Sequence, residues 1–412
     1  MKYGCIGEHL GHSFSREIHS RLSDYEYELC EVGRDALSDF ATRREFLAIN
    51  VTIPYKEMIL PYIYELDEGA RRIGAVNTVV NRGGRLYGYN TDFYGMTQLI
   101  RHAGVVIEGM KVAILGTGGT AKTAAAVVDA LGAREVIKVS RTARDGICDY
   151  PTLSAMHGDT DVIINTTPVG MYRDFDGVPI DINDFPKLSG VIDAVYNPLR
   201  TRLVSEAMAR GIKAEGGLYM LVAQAVRASE IFLDKVYPDG TTDRVFREMM
   251  EDKENIVLIG MPSSGKTTVS RLLANETWRE VIDTDERIEA ERGASIPNIF
   301  ALEGEAKFRE YEAETIRAVA QDTSKVIATG GGAILNPVNI ERLKRNGKIY
   351  FIDRPLSALL PTADRPLSST KEAIERRYNE RYGLYLKYAD VRIDAIGTAE
   401  KTAEAIEEDF FQ

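Results

Sequence analysis

Cysteine is scarce in this 412-residue sequence, and its three copies, Cys5, Cys30 and Cys148, are far apart. Their spacing provides no metal-binding pattern, and so few thiols are typical of a protein that works in a reducing compartment without disulfides. No uninterrupted apolar run reaches the roughly 18 residues of a membrane-spanning helix, and the N-terminus lacks the apolar core of a signal peptide. These absences predict a cytoplasmic protein with no membrane partner.

The sequence also lacks an excess of positive charge. Its 62 acidic residues outnumber its 51 basic residues, which gives a formal net charge of −11. This sign argues against non-specific binding to nucleic acid or to an anionic membrane surface. We therefore expect small-molecule ligands and no nucleic acid, and any anionic ligand must be held by local lysine, arginine and backbone N–H groups.

The length and the order of the apolar segments indicate more than one domain. A chain of 412 residues exceeds what a single hydrophobic core usually supports. Residues 112–140 contain an apolar strand, a glycine-rich turn, an alanine-rich helix and a second strand, which together are a βαβ unit. A charged segment with Pro238 and Gly240 predicts the main boundary, because an apolar strand restarts the pattern at Asn255.

The motif with the most specific chemistry lies at residues 260–267. The letters GMPSSGKT match G-x-x-x-x-G-K-[ST] and stand between a predicted strand and a predicted helix. Loops of this kind wrap backbone N–H groups around a β-phosphate, so Lys266 is placed to reach the β and γ oxygens and the Thr267 hydroxyl to bind Mg²⁺. The sequence therefore predicts a nucleotide site with Mg²⁺.

Two carboxylates follow the next apolar run. Asp283 and Asp285 are two residues apart at its end, and residues two apart on a strand point to the same side. One carboxylate is suited to support Mg²⁺ and the other to accept the proton of an attacking hydroxyl. A solvated acidic turn is the alternative, and the spacing alone does not decide between them.

A second glycine-rich turn, GTGGTA, begins at Gly116. It ends the apolar segment KVAIL and opens a helix, as a dinucleotide-binding fold requires. An NAD site presents Asp or Glu at the end of the following strand, whereas this sequence has Ser140, Arg141 and Thr142 there. Because Arg141 is suited to pair with a 2′-phosphate, the sequence favours NADP over NAD. An ordinary surface arginine is the alternative.

Residues 255–412 resemble shikimate kinase in the stretches GMPSSGKTT, IDTDERIE, IFALEGEAKFREYE, ATGGGA, ADRPL and RYGLYLKYAD. The resemblance implies a P-loop, NMP-kinase-like α/β domain that uses ATP and Mg²⁺. It implies that Lys266 and Asp285 are catalytic and that Arg365 belongs to a lid over the phosphates. The residues implied to bind the nucleotide are Pro262, Ser263, Ser264, Gly265, Lys266, Thr267 and Thr268. Those implied to bind Mg²⁺ are Thr267 and Asp283, and those implied to bind shikimate are Asp285, Arg309, Gly331 and Arg381. Gly383 stands where the family usually has proline, which predicts a less rigid loop around Arg381.

Residues 1 to about 250 resemble shikimate dehydrogenase in GHSFS, NVTIPYKE, GAVNTV, GYNTDFYG, GTGGTA, SRT, INTTPVGM, DAVYNP and GLYMLVAQA. The resemblance implies an N-terminal α/β substrate lobe at residues 1–100, completed by helices in 217–236. A Rossmann-like NADP-binding domain would occupy residues 101–216, and a linker would occupy 237–254.

The same resemblance assigns a catalytic pair, Lys56 and Asp92. Reduction of a ketone by hydride leaves a developing alkoxide, which a lysine paired with a carboxylate can stabilise and protonate. The residues implied to contact the substrate are Ser13, Ser15, Thr52, Asn77, Asp92, Tyr196 and Gln224. Those implied to contact NADP are Glu68, Gly116, Thr117, Gly118, Gly119, Thr120, Ser140, Arg141, Thr142, Ala194 and Gly217. The family usually has proline at the position of Arg16 and commonly methionine at that of Ala194, so substrate affinity is expected to differ.

Together the two halves predict a bifunctional enzyme of the shikimate pathway. It would reduce 3-dehydroshikimate with NADPH and phosphorylate shikimate on its 3-hydroxyl with MgATP. One alternative is an NAD-linked quinate or shikimate dehydrogenase that works oxidatively, against which the Arg141 strand end argues. The other is a nucleotide-sensing regulator without turnover, against which the intact Lys56, Asp92, Lys266 and Asp285 argue. The sequence leaves the oligomeric state open.

Overall fold

The computed structural model describes residues 1–11, 13–172, 174–361 and 370–411. The chain divides into two compact units, Met1–Met249 and Met250–Gln412. Each unit is an α/β structure, which confirms the predicted fold class. Among the helices of the described residues, none combines the length and the apolar composition that a bilayer crossing requires.

The N-terminal unit begins with a mixed sheet. Its strands are β1 (Tyr3–Gly7), β2 (Tyr27–Glu31), β3 (Ala48–Val51), β4 (Glu65–Leu66), β5 (Thr78–Arg82) and β6 (Arg85–Tyr89). The accompanying helices are α1 (Ser15–Ser20), α2 (Leu37–Arg43), α3 (Tyr55–Met58), α4 (Glu68–Ile73) and α5 (Asp92–His102), with 3-10 turns at Arg34–Ala36 and Leu60–Tyr62. The strand order is β2-β1-β3-β5-β6-β4. Because β1 and β3 are parallel, the loops that follow them leave the sheet at the same edge.

A second sheet of the same unit is parallel throughout. Its strands are β7 (Lys111–Leu115), β8 (Glu135–Ser140), β9 (Cys148–Asp149), β10 (Val162–Asn165), β11 (Gly190–Asp193) and β12 (Lys213–Glu215). The connecting helices are α6 (Gly119–Ala130), α7 (Tyr150–Met156) and α8 (Arg202–Ala209), with a 3-10 turn at Ile182–Asp184. In the order β12-β11-β10-β7-β8-β9, the direction of winding reverses between β7 and β10. Such a switch point opens a crevice at the carboxyl ends of the two strands.

Helix α9 (Leu218–Leu233) contributes to the cores of both sheets. Tyr219 and Ala223 pack among residues of β7, β10 and β11, whereas Ala228 and Phe232 pack among residues of β1, β2 and β3. The segment predicted as a linker contains α10 (Thr241–Lys253), and the division between the two units falls inside this helix.

The C-terminal unit has one parallel sheet. Its strands are β13 (Asn255–Ile259), β14 (Glu280–Asp283), β15 (Lys325–Ala328), β16 (Gly347–Asp353) and β17 (Val391–Asp394). The helices are α11 (Lys266–Thr277), α12 (Thr284–Arg292), α13 (Ile296–Leu302), α14 (Gly304–Val319), α15 (Pro337–Asn346), α16 (Lys371–Tyr388) and α17 (Ala399–Phe410), with 3-10 turns at Ala333–Leu335 and Leu356–Ala358. The order is β14-β15-β13-β16-β17, with the fully buried β13 in the centre. The loops after β13, β14, β15 and β16 therefore meet at one edge.

Candidate active sites

Lys56 and Asp92 form an ion pair in the N-terminal unit. Lys56 lies in α3 and Asp92 opens α5, and the Lys56 ammonium donates to Asp92 Oδ2 at 2.5 Å. The Asp92 side chain is 11% exposed and the Lys56 side chain 22%. An ammonium that is fixed by a buried carboxylate and still reachable is suited to stabilise a developing alkoxide and to donate a proton.

Asn77 connects this pair to other residues that the sequence predicts to bind the substrate. Asn77 Nδ2 donates to Asp92 Oδ1 at 2.9 Å and to Gln224 Oε1 at 3.4 Å. Thr91, which the sequence reasoning missed, donates its backbone N–H to Asn77 Oδ1 at 2.8 Å. The network therefore holds the Asp92 oxygen that does not contact Lys56, and it brings Asn77, Asp92 and Gln224 together.

The two serines of the N-terminal motif lie beside Tyr196. Ser13 Oγ donates to Ser15 Oγ at 3.0 Å and accepts the Ser15 backbone N–H at 3.3 Å. The Phe14 ring between them contacts the Tyr196 ring edge-on, with ring centroids 5.3 Å apart. Burial raises the pKa of Tyr196, so its phenol is neutral near pH 7. Thr52 follows β3 and Ser13 follows β1, so both loops lie at the same sheet edge.

The GTGGTA turn joins β7 to α6 at the switch point of the second sheet. Gly116 has a φ of +111°, and a Cβ on it would lie 2.6 Å from Thr166 Oγ1, so only glycine fits. Thr117 and Thr120 flank Gly118 and Gly119, whose added Cβ atoms would meet no atom within 4 Å. Open space at a helix N-terminus beside a switch point fits the pyrophosphate of a dinucleotide.

The turn after β8 carries the residues predicted to select NADP. Ser140 Oγ donates to the Thr142 carbonyl at 3.0 Å and accepts the Thr142 N–H at 3.3 Å. Arg141, between them, is exposed. A fixed turn with an exposed guanidinium and no acid at the strand end fits a 2′-phosphate.

The remaining residues that the resemblance places near the cofactor are at two locations. Gly217 donates its N–H to the Val195 carbonyl at 2.8 Å, and a Cβ on Gly217 would collide with the Ala194 carbonyl. Glu68 lies exposed in the first turn of α4. Within the described ranges, no hydrogen bond or ion pair joins Glu68 to the GTGGTA turn.

A buried carboxylate that the sequence reasoning missed connects the loops of the second sheet. Asp193 ends β11, is fully buried, and accepts hydrogen bonds from Asn165 Nδ2 at 3.0 Å, Val195 N at 3.0 Å and Thr201 Oγ1 at 2.7 Å. Burial raises the pKa of Asp193 to about 6. Asn165 Oδ1 accepts the N–H and hydroxyl of Thr167, and the neighbouring Thr166 hydroxyl donates to the Leu115 carbonyl, at the end of β7, at 2.6 Å. The carboxyl ends of β7, β10 and β11 are thus joined in one chain of contacts.

In the C-terminal unit, the P-loop leads from β13 into α11. The buried Lys266 ammonium donates to the carbonyls of Gly260 and Met261, both at 2.9 Å. Ser264 Oγ is buried without a hydrogen-bond partner among the described residues, and Thr267 Oγ1 donates to Asp283 Oδ2 at 2.9 Å. The other predicted members of this loop and of the first turn of α11 are Pro262, Ser263, Gly265 and Thr268. An unpaired buried hydroxyl fits a phosphate oxygen, and the Thr267–Asp283 pair offers the oxygen ligands that Mg²⁺ prefers.

Asp283 and Asp285 reach the same cavity, although the predicted strand geometry is wrong. Asp283 ends β14 and caps α12, since its Oδ1 accepts the N–H groups of Asp285 at 3.0 Å and Glu286 at 3.4 Å. Asp285 therefore lies in the first turn of a helix instead of on the strand. The helix cap, and not strand alternation, brings the two carboxylates together.

The cavity has a volume of about 370 Å³, and its lining includes Pro262 of the P-loop and three arginines, Arg309, Arg377 and Arg381. The predicted site residues that line it are Pro262, Thr267, Asp283, Asp285, Arg309, Gly331 and Arg381. Arg381 is 6% exposed; its Nη1 donates to the Gly331 carbonyl at 3.1 Å, while its Nε has no partner among the described residues. Guanidiniums that line a cavity fit a carboxylate ligand.

Glycines of the segment ATGGGA make room for these side chains. A Cβ on Gly330 would lie 2.5 Å from Asp285 Oδ1, and a Cβ on Gly332 would overlap the Arg309 guanidinium. Between them, the Gly331 carbonyl accepts from Arg381 and from the Tyr385 hydroxyl. Any larger side chain at Gly330 or Gly332 would displace a charged group from the cavity.

The expectation of a less rigid loop at Gly383 is wrong. Helix α16 runs without interruption from Lys371 to Tyr388 and contains both Arg381 and Gly383. A glycine keeps the backbone N–H that proline lacks, so the helical hydrogen bonds continue through this position. Arg365, the predicted lid residue, lies outside the described residues.

Glu312 is a further cavity residue that the sequence reasoning missed. It is 1% exposed, and its Oε2 accepts from Arg309 Nη1 at 2.9 Å. Burial raises the pKa of Glu312 to about 7, a rise that Arg309 reduces and Asp285 increases. The sequence does place Arg309 and Glu312 three residues apart, and this spacing on a helix favours an ion pair.

Comparisons with known proteins identify both parts of the chain. The family model for the shikimate dehydrogenase substrate binding domain matches residues 5–79, and the model for shikimate kinase matches residues 262–410. The shikimate dehydrogenase (NADP(+)) of Clostridium perfringens strain SM101 is 34% identical over 265 residues, which are 60% of this chain and 97% of that protein. The chain belongs to the shikimate dehydrogenase family. It also carries a shikimate kinase domain at its C-terminus.

Solved structures agree with this family. A chorismate mutase/shikimate 5-dehydrogenase fusion protein from Clostridium acetobutylicum is 34% identical, has a TM-score of 0.57 and covers 60% of this chain and 97% of its own. The shikimate 5-dehydrogenase of Thermus thermophilus, solved in complex with NADP(H) and shikimate, is 28% identical, with a TM-score of 0.54 and coverage of 60% and 99%. The predicted membership in the two families is confirmed.

Proposed function

We propose that the chain catalyses two consecutive reactions of the shikimate pathway. It reduces 3-dehydroshikimate to shikimate with NADPH, and it phosphorylates shikimate to shikimate 3-phosphate with MgATP. One observation supports this proposal: the chain contains the side chains that each reaction requires. One unit has the Lys56–Asp92 pair, and the other has a P-loop beside an arginine-lined cavity.

In the first reaction, bound NADPH supplies a hydride to the carbonyl carbon of the substrate. The turn at Gly116 would hold the pyrophosphate, and Arg141 the 2′-phosphate. The Lys56 ammonium stabilises the developing alkoxide and gives its proton to that oxygen, while Asp92 keeps Lys56 oriented. Asn77 donates a hydrogen bond to Asp92 Oδ1, the carboxylate oxygen that does not contact Lys56. Ser13, Ser15, Thr52, Tyr196 and Gln224 are the groups proposed to bind the ring.

In the second reaction, the 3-hydroxyl of shikimate attacks the γ-phosphate of ATP. Asp285 accepts the hydroxyl proton, Lys266 stabilises the transferred phosphoryl group, and ADP leaves. Thr267 and Asp283 would hold Mg²⁺, and Arg309 and Arg381 would bind the ring carboxylate. The presence of Thr267, Asp283, Asp285, Arg309 and Arg381 in the lining of one cavity supports this assignment.

Neither alternative is favoured. An NAD-linked quinate or shikimate dehydrogenase would require an acid at the end of β8, where Ser140 and Arg141 stand. A nucleotide-sensing regulator would have no need of the Lys56–Asp92 pair or of a cavity lined by three arginines and Asp285.

The test is a coupled assay on the purified protein with 3-dehydroshikimate, NADPH and MgATP. Loss of NADPH absorbance is followed, and the final product is identified by mass. Formation of shikimate 3-phosphate is the expected result. A product that stops at shikimate contradicts the kinase part, and no consumption of NADPH contradicts the dehydrogenase part.

A further inference from the structure

Arg354 lies beside the P-loop and has no role in the proposed kinase reaction. It follows Asp353, the last residue of β16. Strands β13 and β16 are parallel neighbours, with Ile259 opposite Phe351, so the chain leaves β16 at the edge where the P-loop begins. Arg354 Nη1 is 3.8 Å from the position that a Cβ would occupy on Gly265. The segment after β16 therefore runs alongside the P-loop.

A second contact confirms how this segment is placed. The Ser263 hydroxyl donates to the Leu360 carbonyl at 2.9 Å. Residues 354 and 360 thus each approach a different residue of the P-loop. The approach of Arg354 to Gly265 is set by the β16 strand end and by this hydrogen bond together.

The Arg354 guanidinium lacks a neutralising partner among the described residues. Its Nε is buried without a hydrogen bond there. The adjacent Asp353 forms no ion pair with Arg354 among the described residues; its Oδ2 accepts from the Tyr382 hydroxyl at 2.8 Å and from Arg392 Nε at 2.9 Å. A partly buried cation without a counter-ion is unfavourable, and an anionic ligand removes that cost.

We infer that Arg354 binds the phosphate groups of the nucleotide. Gly265 directly precedes Lys266, and the backbone around them is the part of a P-loop that surrounds the β-phosphate. A guanidinium this close to Gly265 can approach the same phosphates from the side of β16, and its planar fork matches two phosphate oxygens. This inference rests on the proposed kinase function and adds a phosphate ligand outside the P-loop motif.

The test compares Arg354→Gln and Arg354→Lys with Arg376→Gln, which changes an exposed arginine of α16. Titration calorimetry measures the Kd of ADP and AMP, and the kinase assay measures the KM for ATP and for shikimate. We expect Arg354→Gln to weaken ADP binding and raise the KM for ATP about tenfold or more, because charge-assisted hydrogen bonds are lost. The KM for shikimate should stay within about twofold, and Arg354→Lys should recover part of the ADP affinity.

Two results would overturn the inference. The first is an ADP affinity of Arg354→Gln equal to that of the wild type and of Arg376→Gln. The second is an equal loss for AMP and ADP without recovery in Arg354→Lys, which would indicate stacking on the base. ADP binding requires no shikimate, so this measurement is separate from the test of the proposed function. If the proposed function is wrong, the wild-type protein would bind ADP but would not phosphorylate shikimate.

Discussion

Glu312 is a single residue whose charge is expected to control substrate binding in the kinase cavity. Burial raises its pKa from an ordinary value of 4.5 to about 7, so the carboxyl is neutral below that pH and ionised above it. When Glu312 is neutral, the exposed Glu305 is the remaining carboxylate partner of Arg309 among the described residues, so more of the Arg309 charge is available to a ligand carboxylate. The ionised form neutralises Arg309 and adds negative charge near Asp285. We expect the KM for shikimate to rise by about tenfold as the pH increases through 7.

The substitution Glu312→Gln should abolish this rise, because no group at that position then ionises. The measurement is the KM for shikimate between pH 6 and pH 8 at saturating MgATP. Glu305→Gln is the matched control, since Glu305 also accepts from Arg309, at 3.0 Å, but its side chain is 49% exposed. A wild-type pH profile that persists in Glu312→Gln would contradict the role given to this residue.

Residues inside a contiguous motif were predictable from the sequence, and residues joined only by the fold were not. Lys266 and Thr267 follow from their spacing to Gly260, because the P-loop conformation is local. Asp193 contacts Asn165, which is 28 positions away in the chain, and no local pattern shows that both strands end at the same switch point. Their hydrogen bond therefore appears only when β10 and β11 pair in register.

At the scale of the elements, hydrogen bonds to the Asp193 carboxylate hold the loops at the ends of β10 and β11 in place beside β7. The carboxylate accepts from all three groups, whereas the amide of Asp193→Asn has one accepting oxygen, so at least one of these bonds must be lost or, at the Thr201 hydroxyl, reversed. We expect this variant to lower dehydrogenase kcat at pH 8 by about tenfold or more and to reduce the free energy of unfolding by about 1.5–3 kcal/mol. NADPH oxidation and urea unfolding measure the two effects.

Asp184→Asn is the control for this substitution, because Asp184 is an exposed acid of the same unit. It should leave both quantities unchanged. Kinase activity with added shikimate should also be unchanged in Asp193→Asn, since every contact of Asp193 lies in the N-terminal unit. A dehydrogenase rate close to that of the wild type would show that these loops do not need the carboxylate.

Two helices, α12 and α10, show where a local interpretation of the sequence was incomplete. Asp285 was expected on a strand, but the Asp283 side chain caps α12, which begins at Thr284, one residue before Asp285. The segment 237–254 was predicted to be a linker that holds the main boundary; the division between the units falls inside it, within α10, which the sequence reasoning did not predict. Val245 and Met249, four residues apart and both buried, were the missed signal of an amphipathic helix.

At the scale of the whole molecule, each of the two units contains the side chains proposed to catalyse its own reaction. The two activities should therefore be separable. Lys56→Ala should lower NADPH oxidation by about a hundredfold or more and leave phosphorylation of added shikimate unchanged. Lys266→Ala should stop ADP formation and leave NADPH oxidation unchanged. The two purified variants, assayed separately, provide the comparison.

A mixture of the two variants tests the same conclusion more strictly. Lys266→Ala supplies shikimate from 3-dehydroshikimate, and Lys56→Ala phosphorylates it, so the mixture should convert 3-dehydroshikimate to shikimate 3-phosphate. Shikimate should accumulate first, since it must pass through solution from one protein molecule to another. Detection of both compounds by mass over time measures this. If the mixture makes no shikimate 3-phosphate although each variant keeps its own remaining activity, the second site does not accept shikimate from solution, and the two sites are not independent.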